Sequence, residues 1–441
     1  MKVFRCGTYF SALSQQLFEI YPFLMEWDGK YWNGVLLEDV DDEGELNYPD
    51  WKSDLSIEQL PTECILEIFS YLSVPEKFIL EDVCHRWKEI SESGWSEVKR
   101  LFIRSTCPRF TTAEIEIIFR RCGRFLKSLR IDLEDERTNC LHLIQKHCRS
   151  IREFEIDFVQ VNWRPIMCLY YADYFSKIYE TCRDLRSITI LSIKSTFTDT
   201  YVTNLRYEIV ETIHLTVGAH NVHFSLNLSR FRNLRCLNLE RFIIDENRLV
   251  GFDQLQKLEE LYFSFCNIHI SHIKKIKKFK NLEKLWLNGA ISEIRDDHIT
   301  NIVHYCRKLK VLNVDGLRGL TDRCFIDISK LPALEELHMM SLSRVSDYAI
   351  ANMRTLKTLS CPQCPGIGND GLKRLIRCAP SLQFLSARRT SVTKNFLADA
   401  NEAIQSRQNN VQLFLDLGPE AYTWQLPMNF SPLLILEGSA K

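Results

Sequence analysis

One apolar pattern, L-x-x-L-x-L, keeps returning through the second part of this 441-residue chain, and no other feature restricts its fold as strongly. The clearest copies are LRCLNL from Leu234, LEELYF from Leu258, LEKLWL from Leu282, LKVLNV from Leu309 and LEELHM from Leu334. Weaker copies start at Leu126, Ile151, Leu185 and Val210 upstream and at Leu356 and Leu382 downstream. Leu234, Leu258 and Leu282 stand 24 residues apart, and the whole series averages about 26 residues per step. The L-x-L part alternates like a strand, so two side chains point inward and those between and beside them point outward. One unit cannot bury its apolar side alone. Stacked neighbours bury it for each other, which requires many copies and atypical ends.

Period and register are those of leucine-rich repeats. The resemblance implies an α/β fold, a solenoid with a curved parallel sheet inside and helices outside. Segments between copies read as helices. After LTD, VSD and GND the good N-cap types are Thr321 or Asp322, Ser346 or Asp347, and Asn369 or Asp370. Cys148, Cys182 and Cys306 lie three residues before the first anchor of a copy, and Cys122 and Cys378 four before. That recurrence suits a small buried hydrophobe where the helix turns back into the sheet, and it resembles the cysteine-containing class of these repeats. Zinc has its best case in CPQC, where Cys361 and Cys364 stand at ligand spacing. A closed site needs four ligands, and only Cys378 follows, so no metal site is expected.

Composition narrows function. With 45% hydrophobic and 26% charged residues, a net charge of −1 and a pI near 6.8, the chain has no global attraction to nucleic acid or acidic lipid. Near the N-terminus polar residues break every apolar run before a secretory or membrane-spanning segment forms, so no membrane association is expected. Sixteen cysteines scattered without a signal peptide fit a reducing compartment, cytoplasm or nucleus. There is no Gly-rich phosphate loop, G-x-S-x-G elbow or H-E-x-x-H. No catalytic residue and no cofactor are expected.

A different unit precedes the repeats. In LPTECILEIFSYL, residues 60–72, Ile65, Ile68, Phe69 and Leu72 form one helical stripe, with Pro61 suited to the first turn. SVPEKFILEDVCHRW repeats the logic with Leu80, Val83, Cys84 and Trp87, and a third helix surrounds Trp87 and Ile90. A helical unit of roughly 40–45 residues is at the size where a core alone is usually too small, so something outside should complete it.

These residues resemble an F-box: the L-P start is Leu60-Pro61, the I-L-x-x-I-F-x-x-L core is Ile65, Leu66, Ile68, Phe69 and Leu72, and V-C-x-x-W is Val83, Cys84 and Trp87. Pro75-Glu76-Lys77-Phe78 departs mildly from the family pattern. The resemblance implies adaptor binding by Leu60, Pro61, Ile65, Leu66, Ile68, Phe69, Leu72, Leu80, Val83, Cys84 and Trp87. It further implies that the adaptor is Skp-type and joins a cullin and RING subunit, and that the repeats hold a protein substrate for ubiquitination and proteasomal degradation. The chain would then be a non-catalytic substrate adaptor of an SCF-type ubiquitin ligase. The alternative is a repeat scaffold or inhibitor that binds a partner without assembling a ligase. Capping of the solenoid by the same helices is a further alternative.

The expected division is an N-terminal segment over 1–54, partly acidic at 36–46; the F-box over 55–100; about 11–12 repeats over 101–417; and a tail over 418–441. Between the inward leucines, the residues facing out on the concave sheet are Arg130, Glu155, Thr189, His214, Asn238, Tyr262, Trp286, Asn313, His338, Ser360 and Ser386. Tyr262, Trp286, Asn313 and His338 are the substrate-binding candidates, since amphipathic aromatics anchor interfaces; cross-strand stacking is the other reading. The lysine run of Lys274, Lys275, Lys277, Lys278 and Lys280 could attract phosphate or an acidic partner, but its place between two repeat anchors favours a solvated convex helix face. VQLFLDL at 411–417 reads as the last strand, with the tail packed on the array.

Overall fold

The computed structural model describes residues 60–104, 110–134, 140–160, 165–194, 201–202, 204–218, 222–289, 293–424 and 429–437. The N-terminal segment, its acidic stretch and residues 55–59 lie outside them. The chain divides into two compact units, Met1–Gly94 and Trp95–Lys441.

In the first unit, α1 (Thr62–Ser70), α2 (Val74–Glu81) and α3 (His85–Gly94) enclose a small core. Pro61 stands at the N-cap of α1 with φ −54° and ψ 147°, one residue before the first turn rather than within it. Ser73 opens α2, its N–H donating to Glu76 Oε2 at 2.6 Å. The stripe expected through Leu80, Val83, Cys84 and Trp87 is broken, because α2 ends at Glu81 and the chain turns before α3. Cys84 sits in that break, and its Sγ accepts the Trp87 N–H at 3.5 Å. Ile65, Phe69, Leu80, Trp87 and Ile90 form the core. Phe69 meets Trp87 edge-on at 5.6 Å, the offset geometry that aromatic quadrupoles favour.

Among the described residues the second unit is built on a parallel sheet of fourteen strands in chain order. They are β1 (Arg100–Ile103), β2 (Ser128–Glu134), β3 (Glu153–Gln160), β4 (Ser187–Ile193), β5 (Thr212–Val217), β6 (Cys236–Glu240) and β7 (Glu260–Ser264). Then come β8 (Lys284–Trp286), β9 (Val311–Asn313), β10 (Glu336–His338), β11 (Thr358–Ser360), β12 (Phe384–Ser386), β13 (Leu413–Asp416) and β14 (Leu434–Leu436). Leu237, Leu261, Leu285, Leu312, Leu337, Leu359 and Leu385 are register partners, all fully buried. Trp95, in a 3₁₀ turn ahead of β1, is buried against this array with the Arg121 guanidinium 5.4 Å from its ring.

Helices cover one face: α4 (Thr112–Cys122), α5 (Cys140–His147), α6 (Pro165–Thr181), α7 (Ile270–Lys275), α8 (Asp296–Tyr305), α9 (Asp322–Ile328), α10 (Asp347–Ile350), α11 (Asn369–Cys378) and α12 (Phe396–Gln405). Among the described residues none is long and apolar enough to cross a membrane. Helices do not fill every interval. In the copies from Val210 and Leu234, short strands stand there instead: Val222–His223, Leu226–Asn227, Phe242–Ile244 and Leu249–Val250. A 24-residue repeat leaves too little chain, after strand and turns, for a helix of ordinary length.

Thr321 and Ser346 cap α9 and α10 as expected, but α11 is capped by Gly368, with Asn369 already helical. An unexpected clamp explains the regularity. Asp296 accepts from Thr321 N–H at 2.8 Å, Asp322 from Ser346 N–H at 2.7 Å, and Asp347 from Gly368 N–H at 2.8 Å. Each aspartate at the start of one helix thus satisfies an otherwise unpaired donor at the start of the next.

The strand over 411–417 is not the last. Leu434–Leu436 adds β14 in parallel to β13. Asn401 holds the tail to α12, donating to Asn429 O at 3.0 Å and accepting from Ser431 N–H at 2.8 Å. The tail therefore covers an end that would otherwise expose the apolar edge of the stack.

Candidate functional site

Two surfaces emerge. The first is the helical unit, where the proposed adaptor-binding residues fall into two groups. Ile65, Phe69, Leu80 and Trp87 are enclosed in the unit's own core, whereas Leu60, Leu66, Ile68, Leu72 and Cys84 pack against it from its margin. Pro61 is exposed and Val83 is 47% exposed. The Leu60 carbonyl accepts from Arg86 Nη2 at 2.6 Å, tying the start of α1 to α3. Direct contact with a partner is therefore open to the second group and to Pro61 and Val83, but not to the enclosed four.

The second surface is the sheet face opposite the helices. All eleven residues expected between the inward leucines are register neighbours, from Arg130 to Ser386. Tyr262 and Trp286 lie 5.8 Å apart, ring to ring. Trp286 and His338 come within 5.6 Å although β9 runs between their strands. Asn313, on β9, is buried and bonded back to Asp315, whose N–H donates to Asn313 Oδ1 at 2.9 Å. Asn313 is thus a support beneath two rings rather than a presented contact. Ser386 is likewise buried, donating to Asp416 at 2.7 Å.

Strand alternation places further residues on this face, one step before the set the L-x-L count selects. Cys236, Glu260 and Lys284 are register partners there. Glu260 accepts from Tyr262 Oη at 2.9 Å and pairs with Lys284 at 2.8 Å. Burial works against the Glu260 charge, but the hydrogen bonds from Lys284 and Tyr262 hold its carboxyl below the usual range. Burial first, and then that carboxylate, push the Tyr262 hydroxyl up, so Tyr262 is a fixed neutral donor. Counting two residues back from each outward aromatic would have found this row. Toward the end of the sheet the same row presents Phe384 and Phe414, 38% and 45% exposed.

Buried polar atoms without a hydrogen bond on this face include His214 Nε2 and Asn238 Oδ1, on adjacent strands in register. Burial pulls the His214 imidazole below its ordinary pKa and keeps it neutral.

The recurrent cysteines are packing elements, and several have their donors engaged. Cys182 Sγ donates to Cys148 O at 3.0 Å, Cys306 to Ile276 O at 3.5 Å and Cys378 to Ala351 O at 3.5 Å. Burial pushes the Cys182 and Cys306 thiols up to about 12. In CPQC, Cys361 faces Ser386 O and Cys364 faces Met339 O, carbonyls of two different repeats, and burial raises both thiols away from the thiolate form. No group of three or more His, Cys, Asp or Glu able to hold a metal occurs among the described residues.

Residues 57–104 match the family model described as F-box-like. F-box only protein 33 of Homo sapiens and of Mus musculus are each 30% identical over 82 residues, 18% of this chain. The match spans 14% of the length of these curated relatives. Rad7, in the yeast Rad7 and Elc1 complex, is structurally similar with a TM-score of 0.52 at 17% identity, over 86% of this chain and 92% of that one. At that identity the likeness shows a shared fold.

Proposed function

For this F-box/leucine-rich-repeat protein we propose the role of substrate-recognition subunit in an SCF-type ubiquitin ligase. The helical module grips a Skp-type adaptor, which links it to a cullin and a RING subunit, and the open sheet face holds the substrate protein. The observation that carries this reading is the F-box-like match, which falls on a three-helix unit with its own core and a margin of apolar side chains left over. Ile65, Phe69, Leu80 and Trp87 keep the helices in place, while Leu60, Pro61, Leu66, Ile68, Leu72, Val83 and Cys84 touch the adaptor.

On the substrate side, Tyr262, Trp286 and His338 are the anchors, with Asn313 supporting the latter two. Catalysis is proximity: a tethered substrate lysine meets the conjugating machinery at high effective concentration. The chain itself performs no chemistry and requires no cofactor.

The test is co-purification of the full chain with a Skp-type adaptor and cullin. Wild type and Trp286→Ala should retain both, and Leu60→Ala/Pro61→Ala and Val83→Asp should lose both while the chain still melts cooperatively. Capture of adaptor without cullin would support the scaffold or inhibitor reading instead. Capture of neither by wild type would end the ligase reading.

A further inference from the structure

On the helical side of the repeat array lies a hollow of about 400 Å³ lined by Gln256, Lys277, Lys278, Lys280 and Tyr305. No carboxylate lines it. Lys278 is paired with Asp253 at 2.6 Å. Lys277 and Lys280 have no ion-pair partner among the described residues; their ammonium groups stand 5.9 and 4.3 Å from the centroid of the Tyr305 ring, itself 43% exposed. Beside the hollow, Lys257 and Lys308 donate to the side-chain oxygens of Asn233 and Asn281, neutral acceptors that leave both charges uncancelled.

One row of the array pairs its cations across the repeats. Arg186 pairs with Glu211, Arg235 with Glu259, Lys310 with Glu283 and Lys357 with Glu335, each across neighbouring repeats. Like charges gathered on one convex patch, with Asp253 the carboxylate that pairs with Lys278, repel one another. An anionic partner would offset that repulsion.

The hollow's chemistry narrows the partner. It offers lysines only, which act as mobile point charges. The planar arginine fork and the backbone N–H cradle that fix a phosphate group are both missing from its lining. The Tyr305 ring adds a flat apolar flank between the charges. Asp253, paired with Lys278, interrupts the positive surface, whereas a nucleic-acid backbone or an anionic membrane calls for a continuous basic stripe. We infer that this hollow docks an acidic polypeptide segment of a partner protein, bringing two or more Asp or Glu side chains to Lys277 and Lys280 and laying an apolar side chain on Tyr305. The site draws no residue from the helical module or from the open sheet face, so it stands or falls independently of the ligase reading.

The probe is a fluorescein-labelled decapeptide of Glu and Asp with one central Leu, titrated with the full chain by fluorescence anisotropy at low ionic strength. Wild type should bind it, with affinity falling steeply as salt rises. Lys277→Glu/Lys280→Glu should weaken binding by at least about tenfold, which corresponds to 1.4 kcal/mol. Tyr305→Ala should weaken it less, and Lys274→Gln, on the same helical segment but outside the lining, should leave it unchanged. Equal binding by wild type and the double lysine variant would overturn the proposal, as would no binding by wild type. Binding of a phosphopeptide, single-stranded RNA or anionic vesicles through these lysines, with the acidic peptide ignored, would overturn it too.

Discussion

The indole of Trp286 and the imidazole of His338 meet at 5.6 Å and 41° above Asn313, although their strands are not neighbours. Two large rings thereby roof a polar side chain that would otherwise face water. Trp286→Ala removes that roof and the contact with Tyr262. It should lower the stability of the array by about 1–3 kcal/mol in denaturant unfolding. His338→Ala, which removes a smaller ring and leaves the Tyr262 contact, should cost less. Equal costs would show that the two rings do not act as a unit with Asn313.

Gly289 and Gly316 follow β8 and β9 with φ of 62° and 75°, in the left-handed region. A Cβ on Gly289 would meet the Phe265 ring at 2.5 Å, while one on Gly316 would find nothing nearer than 3.7 Å. Gly316→Ala should therefore cost only the backbone strain, about 1 kcal/mol, and Gly289→Ala distinctly more. Adding Phe265→Ala to Gly289→Ala should recover the difference but not the strain. A thermal-melt cycle over these variants reads both quantities, and a zero coupling energy would rule out the steric contact.

The aspartate clamps predict where the array loosens. Asp322 accepts from both the N–H and the hydroxyl of Ser346, at 2.7 and 2.5 Å. Asp322→Ala leaves the start of α10 with unpaired donors and should cost about 1–2 kcal/mol. Hydrogen exchange should accelerate first at residues 346–350. Faster exchange spread evenly over the array would argue against a local clamp.

His272 is fully buried, with Nε2 2.9 Å from the Asp245 carbonyl and Nδ1 unpartnered. Burial holds its pKa below the ordinary value, against the raising effect of that hydrogen bond. The unfolded chain therefore takes up the proton first as pH falls. Stability contributed by the neutral ring is complete above about pH 6.5 and declines below it. His147, His214 and His298 shift the same way, each chiefly by burial. Melting at pH 7.5 and 5.5 should show a drop that His272→Phe makes smaller, with some stability lost at both pH values because the Asp245 carbonyl is left unpaired. An undiminished drop would place the pH dependence elsewhere.

Local pattern determined much of this protein. The L-x-L alternation set which leucines are buried and put Arg130 through Ser386 in one register, because a two-residue period leaves a half-buried strand no second choice. The spacing of Leu60-Pro61, the Ile65–Leu72 stripe and Val83-Cys84-x-x-Trp87 was enough to mark the helical module as F-box-like. What sequence could not settle were relations between residues far apart in the chain. A helical stripe does not say whether Ile65, Phe69, Leu80 and Trp87 are a surface or a core; that depended on a break after Glu81 that folds three helices onto one another. Asn313 has the same strand position as Trp286, yet only the size of its neighbours' rings buries it. The rank of Asp296, Asp322 and Asp347, the addition of Leu434–Leu436 as a final strand, and the convergence of Lys277 and Lys280 on Tyr305 all join separate repeats. Such contacts exist only once the stack has formed, because each repeat buries its apolar side against the next and so decides which side chains meet.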